Sequence, residues 1–350
     1  MKSIASVLSI IALGFGLLGC PGSGGGGGGS TSAFAVSTTA ADFGVVGNVY
    51  TSTLAVTGGT APFTWSLFGG VLPTGLIFDP GTGVVSGTPT AVENQTAVFT
   101  VTDSTGQTAN GSVLFAIHPR TDLVSTDNGT PPVPGGGVSS SPSISNNGRF
   151  VAFVSSSGNL IPGVSGSQIY VHDWQTNQTS LVSQNAVGIA GNGASSQPTI
   201  SSNGQFVAFT SASSNLTGDP DPAPSQIFLR DMQSNTTTLV SQATGVAVAV
   251  GDGASSQPTI SSNGQFVAFT SLATTLAPTP GGSGTQIFFR DAQANTTSLV
   301  SQAAVGGNAG NGASSQPTIS ADGGFAAFSS VSTNLGAVGG NQQIYVRALP

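Results

Sequence analysis

One block of sequence occurs four times in the C-terminal two-thirds of the chain, and it restricts the fold more than any other feature. Residues 139–155 read SSSPSISNNGRFVAFVS, 194–211 and 254–271 both read ASSQPTISSNGQFVAFTS, and 313–330 read ASSQPTISADGGFAAFSS. Their prolines, Pro142, Pro198, Pro258 and Pro317, recur every 56–60 residues. A second block follows each one: SQIYVHD (167–173), SQIFLRD (225–231), TQIFFRD (285–291) and QQIYVRA (342–348). A third, T-x-L-V-S, stands at 179–183, 237–241 and 297–301, and once ahead of the first repeat as TDLVS at 121–125. A repeat of this length is one supersecondary unit, which buries its apolar faces only by stacking on its neighbours.

Each repeat reads as four strands. The first is P-T-I-S. Asn-Gly at 147–148, 203–204 and 263–264 predicts a two-residue type I′ hairpin. It leads into FVAF, apolar on both faces, and then into QI-[FY]. Asp173 to Asn177, Asp231 to Asn235 and Asp291 to Asn295 read as turns, with the Asn suited to the left-handed region. T-x-L-V-S is the fourth strand. Four-stranded units apolar on both faces predict sheets packed around an axis, a β-propeller. The first T-x-L-V-S precedes the first P-T-I-S, and the chain ends after the last QIYV. Pairing of residues 120–126 with the C-terminal blade is therefore expected to close four blades into a ring. An open stack, or a ring completed by another chain, are the alternatives. The pattern P-x-I-S-x-[ND]-G-x-F-x-A-F followed by QI-[YF] resembles the TolB-type propeller repeat over residues 120–350. TolB-type propellers usually have six blades, so four is a departure.

Residues 34–118 form a different unit. Val49 to Val56, Phe63 to Leu67, Val98 to Thr102 and Gly111 to Ile117 alternate or run apolar between Gly- and Pro-rich turns, which predicts a small β-sandwich. Trp65 and Phe99 read as core aromatics. GGTAPFTWSL (58–67), LPTGLIFDPGTGVVSGTPT (72–90) and FTVTDSTG (99–106) resemble the Ig-like domain of bacterial surface proteins, whose cadherin-like relatives bind calcium through loop carboxylates. That resemblance makes Asp79 and Asp103 candidate calcium ligands. Turn carboxylates accepting backbone N–H groups are the plainer reading.

The N-terminus carries Lys2 and then a 15-residue apolar run from Ile4 to Leu18, the form of a signal peptide and short for a bilayer span. It ends Leu17-Leu18-Gly19-Cys20, which resembles a bacterial lipobox. The resemblance implies cleavage before Cys20 and lipidation of its thiol, with a palmitate-type chain anchoring the protein in the membrane. Cys20 is the only cysteine in the chain. Gly24 to Gly29 then read as a flexible tether. The expected organisation is a signal peptide at 1–19, lipidated Cys and tether at 20–33, an Ig-like sandwich at 34–118 and a propeller at 119–350. Pro21 after the cysteine favours the outer membrane by resemblance to enterobacterial sorting.

Composition excludes several chemistries. Charged residues make up 5% of the chain, against about 25% in an ordinary soluble protein. A single cysteine forms no intrachain disulfide and no Cys-built zinc site. Arg120, Arg149, Arg230, Arg290 and Arg347 are too scattered for a nucleic-acid patch. His118 and His172 are the only histidines, and Asp173 beside His172 would point to the opposite strand face. Arg230-Asp231 and Arg290-Asp291 read as structural, with Arg covering apolar surface and Asp capping the turn. Asp219 and Asp221, in a Pro-rich loop, are further candidates for a weakly held cation. No catalytic residue and no obligatory cofactor is expected. The resulting expectation is a non-enzymatic lipoprotein of the cell envelope that binds or scaffolds an envelope protein or glycan through propeller loops and the Ig-like module. The alternatives are a polysaccharide-active hydrolase or lyase on a propeller scaffold, and a purely structural surface spacer.

Overall fold

The computed structural model describes residues 33–218, 225–245, 250–277, 282–303, 307–336 and 341–350. Among them all regular structure is β. No helix of the described residues is long and apolar enough to cross a membrane.

The first unit contains β1 (Ala35–Val36), β2 (Gly44–Val45), β3 (Tyr50–Thr53), β4 (Val56–Thr57), β5 (Thr64–Gly70), β6 (Leu76–Asp79), β7 (Val84–Gly87), β8 (Glu93–Thr102) and β9 (Thr108–His118). One sheet has the order β2-β9-β8-β5, a second β3-β7-β6, and β1 pairs with β4. Alternation on β8 turns Ala97, Phe99 and Val101 inward, and they meet Val85, Val113, Phe115 and Trp65 in one core. Each such side chain contributes about 1.5–3 kcal/mol when fully buried. Gly83 has φ +71°, and a Cβ there would lie 2.7 Å from the Trp65 indole nitrogen. Trp65 and Phe99 are thus core aromatics, as the alternation predicted.

The repeats form four successive sheets that resemble propeller blades. The first is β10 (Ser139–Ile144), β11 (Phe150–Ser155), β12 (Gln168–Asp173) and β13 (Gln178–Leu181). The second is β14 (Ser195–Ile200), β15 (Phe206–Ser211), β16 (Gln226–Asp231) and β17 (Thr236–Leu239). The third is β18 (Ser255–Ile260), β19 (Phe266–Ser271), β20 (Gln286–Asp291) and β21 (Thr296–Leu299). The last is β22 (Ser314–Ile319), β23 (Phe325–Ser330) and β24 (Gln343–Ala348). Strands follow chain order within each sheet, and all neighbours are antiparallel.

The turns agree with the sequence in one place and differ in another. Asn177, Asn235 and Asn295 adopt φ of 55–56°, as expected. The Asn-Gly connection is not a two-residue hairpin. Five residues separate β10 from β11, and only Gly148 has positive φ, +74°. Asn147 keeps negative φ because its Oδ1 is engaged, accepting from Ser145 Oγ at 2.7 Å and from the Arg149 amide at 3.1 Å. The Ser two positions before each Asn-Gly, at 145, 201 and 261, thereby supplies part of the turn's hydrogen bonding.

The same contacts recur between consecutive sheets. Asn146 donates its amide to Ser202 O, Ser202 to Ser262 O, and Ser262 to Ala321 O. Phe150 packs on Gly204, Phe206 on Gly264 and Phe266 on Gly323. Gln168, Gln226 and Gln286, read from sequence only as strand residues, are buried clamps. Gln168 Nε2 donates to Gly191 O at 2.9 Å and Gly193 O at 3.2 Å, and the pattern repeats at Gln226 and Gln286.

The expected ring closure is not found. Among the described residues the last sheet has three strands, and residues 121–125 form no strand. The segment after them stays with the first sheet instead: Thr179 Oγ1 donates to Thr126 O at 2.7 Å, and Asn128 exchanges hydrogen bonds with the Thr179 backbone. No strand pairing joins β24 to residues 121–125 among the described residues. The Ig-like module covers one corner of the first sheet. Phe43 lies over Gly148 and packs on Trp174, with ring centroids 5.1 Å apart.

Candidate functional site

The repeated interface leaves a cleft at one edge of the stack, and its size depends on a few side chains. Between the second and third sheets it holds about 490 Å³. The second sheet contributes Phe206, Leu229, Asp231, Thr236 and Thr238. Asn263, Gly264, Gln265, Ala292 and Gln293 come from the third. The equivalent space between the first and second sheets is about 260 Å³, because Met232 occupies it where the third sheet has Ala292. Between the third and fourth sheets, Phe289 stands where the second has Leu229. It stacks on Phe266 at 5.4 Å, and Leu349 takes the Met232 position. Leu229 and Ala292 therefore make the open cleft. Sequence reading attended to the constant positions and passed over this one. The signal was available: the residue after the repeat Asp is Trp174, Met232 and Ala292, and Leu349 follows Ala348 at the same place in the fourth repeat, variable within a nearly invariant frame.

The polar rim is held by the turns. Asp231 Oδ1 accepts the Gln233 amide at 2.9 Å and Gln205 Nε2 at 3.2 Å, and Gln265 Nε2 donates to Asp291. Hydrogen bonds from Ser234 and Gln233 outweigh burial and lower the Asp231 pKa, so the carboxylate is ionised at neutral pH. Arg230 has a larger role than covering apolar surface. It is buried, and Nη1 donates to Asn235 O at 2.9 Å, Thr237 Oγ1 at 3.1 Å and Asn185 O of the preceding sheet at 3.3 Å. Arg290 repeats the clamp toward Thr297 and Gln242 O.

His172 stands at the position of these arginines. It is buried, with Nδ1 3.0 Å from Thr179 Oγ1. That hydroxyl donates to Thr126 O, so it accepts a hydrogen bond from Nδ1–H. His118 sits at the joint between the two units, 3.9 Å from Asp122 and tilted against Trp174 at 4.7 Å. Burial lowers the pKa of both histidines below 6.5, against the opposing charge of Asp122. The unfolded chain takes up protons that the native state refuses, so stability falls as pH drops below 6.5. Denaturation midpoints measured from pH 7.5 to 5.5 should decline, and His118→Gln with His172→Gln should flatten that part of the curve.

The candidate calcium ligands Asp79 and Asp103 both accept hydrogen bonds within their turns. Asp103 is buried, and its carboxylate accepts the amides of Thr60, Thr105 and Gln107 and the Thr105 hydroxyl at 2.7–3.0 Å. Those bonds, led by the Thr105 hydroxyl, lower its pKa. Asp79 accepts from the Gly81 amide and Thr82 Oγ1. No group of three or more His, Cys, Asp or Glu side chains comes together among the described residues. Asp219, Asp221 and Cys20 lie outside the described residues.

A "putative TolB" from Agrobacterium tumefaciens is similar at 15% identity over 72% of this chain and 71% of its own, with a TM-score of 0.33. An oligogalacturonate lyase in complex with manganese is similar at 11% identity over 73% of this chain and 55% of its own, with a TM-score of 0.35. The tricorn protease is similar at 13% identity over 73% of this chain and 26% of its own, with a TM-score of 0.33. No curated protein matches the chain significantly. Residues 30–118 match the family model described as "Putative Ig domain".

Proposed function

We propose that this chain is a non-enzymatic envelope lipoprotein that binds a neutral envelope glycan in the cleft between its second and third sheets. The cleft carries this reading. Its volume suits a small-molecule or oligosaccharide unit. Phe206 and Leu229 offer an apolar surface for a sugar face, while Gln265, Gln293, Asn263 and the Thr hydroxyls offer donors and acceptors for its hydroxyls. With Asp231 ionised at the rim and a formal net charge of −7, the chain favours neutral over acidic glycans. In this reading Cys20 is lipidated, anchoring the protein in the outer membrane, and the glycine tether and Ig-like module hold the cleft away from the lipid.

Titration calorimetry with envelope oligosaccharides tests the cleft. Ala292→Met should fill it as Met232 fills its neighbour and lower affinity at least tenfold, whereas Met232→Ala should leave affinity within about twofold. Equal binding by Ala292→Met and the parent chain would remove the cleft from the proposal. Release of new reducing ends or unsaturated products from the bound glycan would favour the hydrolase or lyase alternative. The anchor is tested separately: a Cys20→Ser chain that stays membrane-bound argues against lipidation.

A further inference from the structure

A second cavity, of about 480 Å³, lies at the joint between the Ig-like module and the first sheet. Its walls follow from local pairing. β8 and β9 set Glu93 opposite Ile117, so this end of their sheet brings a carboxylate, an apolar side chain and the adjoining His118 to one wall. Thr126 bridges to Pro134, and Asp127 donates its amide to Val133 O at 2.9 Å, which folds residues 126–134 back as part of the facing wall. Val92, Ile117, Leu123, Pro132 and Pro134 make much of the lining apolar.

Two polar side chains of the lining are left unsatisfied. His118 is 7% exposed and Thr126 is 5% exposed, and neither His118 Nε2 nor Thr126 Oγ1 has a hydrogen-bond partner among the described residues. A buried polar atom in that condition costs about 1–3 kcal/mol, so two of them at one cavity point to a ligand that satisfies both. The His118 ring is held in place, tilted on Trp174 at 4.7 Å and edge-on to Phe43 at 5.9 Å. Its Nδ1 faces Asp122 Oδ2 at 3.9 Å. The carboxylate favours the tautomer with the proton on Nδ1, which leaves Nε2 as an acceptor. Burial lowers the pKa of His118, so the ring is neutral at pH 7.5. The ligand therefore donates to Nε2. The charge of the lining sets the rest of its chemistry. Glu93 and Asp122 both line the cavity, and neither is paired with an arginine, since the ion pairs among the described residues are His118–Asp122 and Arg149–Asp173. Hydrogen bonds from Gln95 and Thr74 lower the Glu93 pKa and keep it ionised. Trp174 Nε1 donates to Asp122 Oδ2 at 3.0 Å and fixes that carboxylate at the joint.

We propose that this cavity binds a primary amine on a compact apolar body, its ammonium donating to His118 Nε2 and Thr126 Oγ1 beside the Glu93 and Asp122 carboxylates. The volume suits a small organic molecule, and sites of this kind favour the junction of two domains. An alcohol of the same shape supplies one uncharged donor, and an organic acid meets two like charges.

The test titrates the full chain with n-hexylammonium at pH 7.5, read by saturation-transfer NMR, with hexanol and hexanoate as matched probes. Hexylammonium should bind saturably, hexanol about tenfold or more weakly, and hexanoate not at all. His118→Phe keeps a ring against Trp174 and removes the acceptor. Thr126→Val keeps the shape and removes the hydroxyl. Each should weaken hexylammonium about tenfold. Both substitutions delete an unpartnered atom, so the denaturant midpoint of the ligand-free chain should hold, separating lost binding from lost folding. Asp122→Asn, which still accepts from Trp174, should weaken the ammonium and leave hexanol unchanged. The three probes compared on the parent chain give a decision without any substitution. No saturable hexylammonium binding up to about 10 mM would overturn the proposal. So would equal binding of hexylammonium and hexanol, or full binding retained by both His118→Phe and Thr126→Val.

Discussion

Gly264→Ala should destabilise the repeat domain by about 2–5 kcal/mol, read as a fall in the denaturant midpoint with the Ig-like module unaffected. Two effects add. Gly264 has φ +78°, where an L side chain costs about 1–2 kcal/mol. Its Cβ would also stand 2.1 Å from Phe206 Cδ2 and 2.7 Å from Phe206 Cβ. The second atom is the root of the side chain, so no rotation relieves the overlap, and overpacking adds about 1–3 kcal/mol. Gly188→Ala separates the two effects. Gly188 has φ +86°, but its nearest neighbour is Gln184 Oε1 at 3.8 Å, so only the backbone strain should appear. If the two variants lose the same stability, the Phe-on-Gly contact does not hold the sheets together.

Arg230→Ala should cost about 2–4 kcal/mol in the same assay. The guanidinium is buried without a carboxylate against it and bonds chiefly to carbonyl oxygens, Asn235 O in its own turn and Asn185 O in the preceding sheet. Removing it recovers the desolvation of one charge, which lowers its pKa in the folded state. It also removes the charged donor from these part-buried carbonyls and from Thr237 Oγ1, hydrogen bonds worth about 1.5–3 kcal/mol each, and the second effect is larger. Arg230→His should lose about half as much, because His172 at the same repeat position retains its bond to Thr179. Arg230→Ala as stable as the parent chain would reduce the residue to surface cover.

Much of this was legible in the sequence. The period of the Pro and Asn-Gly positions delivers four units, and the apolar FVAF and QIF runs mark strands buried on both faces. Asn177, Asn235 and Asn295 announce their left-handed turns. The Ig-like alternation places Trp65 and Phe99 in a core. The type I′ expectation failed because dipeptide statistics do not include Ser145, whose hydroxyl engages the Asn side chain and lengthens the connection. Arg230 was read as cover because its acceptors, Gln184 and Asn185, lie in another repeat. The cleft was invisible for a similar reason. Ala292 matters only opposite Leu229 and Phe206, about 60 and 90 positions away in the chain.

By itself, the sequence determined the unit: its strands, their order, both apolar faces and the count of four. These follow from side-chain period and turn chemistry, which act over a few residues. Only the tertiary structure decided how the units add up. The step between sheets is set by Phe-on-Gly contacts and backbone bonds such as Ser202 to Ser262 O, and no local pattern encodes its angle. Among the described residues Leu123 and Ile344 are both exposed and share no sheet. Packing between repeats, where Met232 fills one junction and Ala292 leaves the next one open, likewise makes one cleft larger than its neighbour.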